Sequence, residues 1–252
     1  MSNTFGFCKK CGVSHYLGEG NAREAALELM NRLEEDKRID FDSDKADERF
    51  STDYLFGKAR GQMFGVLECE NSAGEKVFLK AFSCQYNGVW ELEGWVPPLF
   101  GVECYDKLVL PVDFAIKRLS RELSLLPEDS FKRKVLLYQR REMSQKLMQD
   151  IHTLYELNNF AGEKASIYNA FLHDKGIPTG SGDCCAPKLL NAAARQRLKP
   201  LGLVEFYWGK ENKSMTREHG EFYSCCESKC QPILGFMLCG LDKEEEPEIE
   251  QA

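Results

Sequence analysis

Apolar positions recur along this chain in two periods, and their alternation predicts an α/β protein. From Ala22 to Glu35 the residues Ala25, Leu27, Leu29, Met30 and Leu33 follow a helical period, with Asn21 placed as its N-cap. Residues 36–53 are dense in charge, carry no strong period and read as a solvated linker or loop. Two β-rich runs follow, Met63–Cys69 and Lys76–Phe82, and the turn cluster Asn71-Ser-Ala-Gly74 between them predicts a hairpin. After an aromatic stretch with Trp90, Trp95 and Pro97-Pro98, the pattern turns helical from about 112 to 160, with a break at Leu126-Pro127 and Pro127 at a first helical position. A Gly/Pro/Ser-rich loop at 176–182 then leads into a helix with Pro187 in its first turn and Leu189, Leu190, Ala193 and Ala194 on one face. Leu201–Trp208 reads as a buried strand. Ile233, Leu234, Met237 and Leu238 mark a last helix, and 242–252 is an acidic tail.

Composition narrows the function classes. Hydrophobic residues at 43% and charged residues at 29% are ordinary globular values and exclude wholesale disorder. A net charge of −7 argues against a protein that coats DNA or other nucleic acid without specificity, although it allows one local basic face. No apolar run approaches the roughly 20 residues that cross a bilayer, and no basic-then-apolar leader opens the sequence. These features predict a cytoplasmic protein without a membrane partner.

Eleven cysteines are the unusual number. In a reducing compartment they read as core thiols, metal ligands or a reactive thiol rather than disulfides. Cys226-x3-Cys230 places two thiols about one turn apart at a helix start, where free backbone N–H groups favour thiolate. Cys184 stands at the start of the preceding helix. With Leu201–Trp208 as a strand between them, the two helix starts can converge on one ion, and three thiols suit a zinc site with the fourth position open. His219 and Asp183 are close enough in sequence to join. A second candidate is Cys8-x2-Cys11-Gly-x2-His15, half of a zinc knuckle, with a loose thiol pair as the alternative. Cys185 adjoins Cys184 in the same cluster, and the remaining five thiols, Cys69, Cys84, Cys104, Cys225 and Cys239, sit mostly beside apolar neighbours and read as core.

The order helix, two strands, helical insertion, Cys-starting helix, strand and Cys-starting helix resembles the front of the zinc-dependent deaminase fold. That resemblance implies a small mixed sheet flanked by helices, and a glutamate two residues beyond the first ligand as proton carrier. Ala186 (from Cys184) or Pro187 (from Cys185) occupies that position, and Asp183 is the nearest carboxylate that can take the catalytic role. A closer resemblance is carried by Pro178-Thr-Gly-Ser-Gly-Asp-Cys-Cys-Ala-Pro-Lys-Leu-Leu190, Leu201-Gly-Leu-Val-Glu-Phe-Tyr-Trp-Gly209, His219-Gly-Glu-Phe-Tyr223 and Cys226-Glu-Ser-Lys-Cys-Gln-Pro-Ile-Leu234. These strings, with Met63-Phe-Gly-Val-Leu67, Ala81-Phe-Ser83 and Trp95-Val-Pro-Pro98, are similar to the N-terminal extension of certain bacterial RluA-type pseudouridine synthases. No segment resembles the Arg-Leu-Asp motif of the synthase domain, so the likeness implies an RNA-modification setting without pseudouridylation by this chain.

The resulting expectation has three parts: a Cys/His segment and helix at 1–55, a deaminase-like α/β domain at 56–241, and the acidic tail. Zinc on Cys184, Cys226 and Cys230 serves hydrolytic deamination of a nucleobase, with RNA or a nucleotide as partner. The alternative is a non-catalytic module in which His219 or Asp183 closes a structural zinc and the protein recognises RNA or a modification enzyme. Lys/Arg-rich helices at 117–146 and Lys188 and Arg195 are candidates to meet phosphate, or are plain exposed helix positions. Trp90, Trp95 and Trp208 are candidates to stack bases or to pack in the core.

Overall fold

The structure is a computed structural model and describes residues 4–43, 45–172 and 176–241. It opens on an antiparallel hairpin, β1 (Thr4–Cys8) and β2 (Val13–Leu17), which the periodicity of the sequence does not announce. Helix α1 (Ala22–Asp36) buries Ala22, Ala26, Leu29, Met30 and Leu33 along one stripe. Asn21 precedes it, but its side chain makes no cap bond and instead donates to Glu68.

Residues 36–53, expected as a solvated linker or loop, are packed instead. Ile39 and Phe50 are buried there and Leu55 just beyond, and the Trp95 indole N–H donates to the Ile39 carbonyl at 2.9 Å. Charge conceals this packing in the sequence: Asp40 is itself buried because the Arg38 guanidinium meets both carboxylate oxygens at 2.6 Å. A short helix, α2 (Asp53–Phe56), ends the segment.

The central sheet is built from β3 (Gln62–Glu70) and β4 (Lys76–Phe82), joined by the expected turn, in which Asn71 Oδ1 accepts from the N–H groups of Ala73 and Glu75. Next come α3 (Val102–Ser124) and α4 (Phe131–His152), the helical insertion, which starts ten residues before the periodicity suggests. Pro127 lies in the turn between them rather than at a first helical position, because Ser130 caps α4 by accepting from the Arg133 N–H at 3.2 Å. Of its basic side chains, Lys117 pairs with Asp113, Lys132 with Glu122 and Lys146 with Asp150. A small hairpin, β5 (Glu156–Asn158) and β6 (Lys164–Ser166), and α5 (Ile167–Ala170) lead to α6 (Cys185–Arg195). The chain then runs through β7 (Lys199–Trp208), the two-residue β8 (Phe222–Tyr223) and α7 (Gln231–Leu238). The acidic tail at 242–252 lies outside the described residues, as does His173, an ordinary helix or loop residue on the sequence reading.

The α/β layout with flanking helices stands, in the strand order β4-β3-β7-β8. Every described ladder is antiparallel, so the sheet is not mixed. The crossover from β4 through α6 returns on the far side of β3. It therefore makes β7 parallel to β4 without letting the two touch.

Alternation along the strands splits the core in two. Phe64, Val66, Val204, Phe206 and Trp208 face α1, with Tyr86 and Trp95. Leu67, Cys69 and Leu203 face α6 and α7, with Leu189, Leu190, Ile233 and Leu234. Helix α6 lies close on the sheet because Gly65 has no side chain; an added Cβ would sit 2.7 Å from that of Cys185. All three tryptophans are buried core residues.

Candidate metal centres

Among the described residues, two groups of side chains bring ligand atoms within 4.8 Å of one another. The first is Cys184, Cys226 and Cys230. Cys184 is the N-cap of α6 and Cys230 the N-cap of α7. A tight turn folds the Cys226 carbonyl back to accept from the N–H groups of Cys230 and Gln231, at 3.2 and 3.1 Å, which sets the two thiols on one side. Their Sγ atoms lie 3.2 Å apart. Metal–sulfur bonds of about 2.3 Å in a tetrahedron place sulfurs about 3.8 Å apart, so small side-chain adjustments admit an ion. Hydrogen bonds from Cys184 and Cys230 hold the Cys226 thiol far below its ordinary value, the bond to Cys226 pushes Cys184 well up, and bonds with Cys184 and Cys226 push Cys230 well up. Cys230 is buried; Cys184 and Cys226 are partly exposed.

Glu205 stands beside this group. It is the one charged residue in the middle of β7, and on the alternation of that strand it faces α6 with Leu203. Its Oε1 accepts from the Ala186 N–H at 3.0 Å. Burial raises the Glu205 carboxyl to about 7, against the donors at the start of α6. Its signal in the sequence is a lone carboxylate inside the apolar run Leu201–Trp208.

Asp183, the carboxylate favoured by the sequence, is oriented otherwise. Its Oδ1 accepts from the Tyr155 hydroxyl at 2.5 Å, and its carbonyl accepts from the Cys84 N–H. Burial raises its pKa while Tyr155, Lys188 and Lys229 oppose the rise. Among the described residues, neither Asp183 nor His219 belongs to the group within 4.8 Å. His219 packs at 4.2 Å on the ring of Trp208, on the α1 face of the sheet, and its Nδ1 accepts from the Gly209 N–H. On the alternation of β7, Trp208 lies on the opposite face of the sheet from Glu205. Lys188 is neither exposed nor free for phosphate: α6 is buried from Cys185 to Ala193, and the Lys188 ammonium donates to the Phe82 carbonyl at 2.8 Å, whereas Arg195 at the end of the helix is exposed.

The second group is Cys8, Cys11, His15 and Cys239. The first three come from the β1–β2 hairpin. Its turn closes with the Gly12 N–H on the Cys8 carbonyl at 2.9 Å, Gly12 adopting a φ of +74° that glycine tolerates. Cys11 Sγ lies 3.0 Å from His15 Nε2 and 3.9 Å from Cys239 Sγ. Desolvation by its neighbours raises the Cys11 thiol, but hydrogen bonds from His15 and Cys8 outweigh it and bring the value down to about 7. Cys239, which the sequence assigned to the core, is the C-cap of α7. No local spacing could reveal it, because the hairpin and α7 meet only in the fold.

No family model, curated protein or solved structure matches this chain.

Proposed function

We propose that the chain is a zinc protein whose three-thiol centre serves hydrolytic deamination of a nucleobase, with Glu205 carrying the proton. One observation carries the reading: three thiols and a buried carboxylate converge at the starts of α6 and α7. Ala186 occupies the position where the resembled deaminases place their glutamate. Glu205 Oε1 is bonded to the N–H of that same residue. The carboxylate thus arrives from β7 instead of from α6. Soft thiolate donors in this number favour zinc, which supplies a Lewis acid with one position left for water. Cys184, Cys226 and Cys230 hold the ion. Glu205 is the group that accepts and returns a proton as ammonia leaves, and a carboxyl raised to about 7 is suited to both directions. Asp183, tied to Tyr155, fixes the entry to α6. The likeness to the extension of pseudouridine synthases points to RNA or a nucleotide as the setting.

A second reading has its own observation. Glu205 is almost wholly buried and already engaged as a cap of α6, which also suits a non-catalytic, zinc-stabilised RNA- or partner-binding module. Ammonia release from nucleosides, nucleotides and total RNA separates the two. The catalytic reading expects release by the zinc-loaded chain and none by Glu205→Gln with its zinc retained. A zinc-loaded wild type inert on all three substrate classes, with four protein ligands on the three-thiol ion by X-ray absorption of Cys239→Ser, would leave the binding module.

A further inference from the structure

We infer that Cys8, Cys11, His15 and Cys239 hold one zinc ion as a closed centre, and that this centre fixes α7 and thereby the Cys226 and Cys230 thiols at its other end. The first part stands on donor count. Three sulfurs and one imidazole nitrogen complete a tetrahedron and leave no position for water, the mark of a structural ion. Cys8 and His15 are buried while Cys11 is exposed, so the centre lies beneath the hairpin turn with one ligand toward solvent.

The second part stands on connectivity and rests on the three-thiol centre binding metal as proposed above. Helix α7 is eight residues long, about 12 Å of rigid rod. Cys230 caps one end and Cys239 the other. Between them Gly235 lies against the backbone of β1, where an added Cβ would fall 2.0 Å from the Phe7 carbonyl oxygen. Hairpin, helix and both ligand groups therefore move together. A ligand lost at one end of α7 loosens the geometry at the other.

The test uses the full chain expressed with zinc, its metal content measured by elemental analysis and its affinities by chelator competition. Wild type is expected to hold two ions, one for each group. Cys11→Ser and Cys239→Ser each should hold one, released to chelator about tenfold more readily than the corresponding wild-type ion, the scale of a lost supporting shell. Cys226→Ser should also hold one, with X-ray absorption showing three sulfurs at about 2.3 Å and one nitrogen at about 2.0 Å. His15→Cys should retain both ions, with four sulfurs at the closed centre, and this variant keeps the donor set if a serine variant does not fold. Zinc content unchanged in both Cys11→Ser and Cys239→Ser, or a Cys226→Ser ion without nitrogen, overturns the closed centre. An unchanged affinity of the remaining ion overturns the coupling. A single ion in wild type, with its nitrogen ligand and untouched by Cys226→Ser, overturns the three-thiol centre and the coupling but supports the closed one.

Discussion

A carboxylate in an apolar strand is costly unless donors meet it, and the central sheet solves this twice with opposite outcomes. Glu205 keeps a raised value because burial dominates. Glu68, only 1% exposed on β3, is also pushed up by burial, but hydrogen bonds from Lys76 and from the Asn21 side chain and N–H, at 2.6 to 2.8 Å, outweigh it. Its pKa ends below the ordinary 4.5. A lowered folded value means that the unfolded chain binds the proton more readily. The stabilisation is therefore complete above 4.5 and is lost as pH falls through the folded value. Glu68→Gln should cost about 1–3 kcal/mol near neutral pH by leaving charged and buried donors poorly met. Urea unfolding from about pH 6 down to about pH 3 should show that cost shrinking, and a difference constant with pH would contradict the assignment. Lys76→Met should cost less, under about 1 kcal/mol, since half of that side chain is in water. The partner was hidden at the sequence level because Asn21 reads as a helix cap. Three-dimensional proximity diverts its side chain to Glu68, and α1 begins without a side-chain cap bond.

Between elements, close approach depends on glycine at particular crossings. Gly235 inside α7 and Gly6 on β1 face each other, so that a Cβ on Gly6 would lie 2.3 Å from the Gly235 nitrogen. Both neighbours are backbone, so neither can swing aside. Gly235→Ala should destabilise the fold by about 1–3 kcal/mol or more and weaken zinc retention at the hairpin, whereas Gly18→Ala, whose added methyl meets nothing within 4 Å, should leave zinc retention unchanged. Calorimetry with metal analysis on both variants checks the pair; equal loss of zinc would remove the crossing as the cause. The elements themselves were largely legible. β3, β4 and β7 carry strong β patterns, and the helices carry their periods or their Pro and Cys starts. The β1–β2 hairpin was not, because Cys8-x2-Cys11 reads as a knuckle and the strands are only five residues each. The stretch 37–56 was not either, since a few buried apolar side chains are outnumbered by charges whose pairing appears only in the fold.

Across the whole molecule, α7 joins what the sequence keeps apart. The three-thiol group is legible because Cys184 and Cys230 mark helix starts within the last third of the chain and Cys226 precedes the second by four residues. Cys239, the fourth donor of the proposed closed centre, is not legible in the sequence, because the three side chains it meets lie more than two hundred residues earlier. That separation has a thermodynamic consequence. An ion bridging Cys8 and Cys239 restrains nearly the whole chain as one loop, and the entropy removed from the unfolded state grows with the logarithm of loop length. By analogy with a cross-link of that span, the bridge is worth at most about 5 kcal/mol, provided that the unfolded chain does not keep the ion. Chelation should therefore lower the unfolding midpoint strongly and readdition of zinc should restore it. Cys239→Ser should already show most of the loss, with a small further drop on chelation. Limited proteolysis should report the same event locally: without metal the β1–β2 hairpin leaves α7, and cleavage within the first twenty residues should precede any cut in β3 or β7. A midpoint indifferent to chelator in a chain shown to have released its zinc would mean that the packing of Gly6 on Gly235 holds the ends together unaided. The closed centre would then be a consequence of the fold rather than one of its supports.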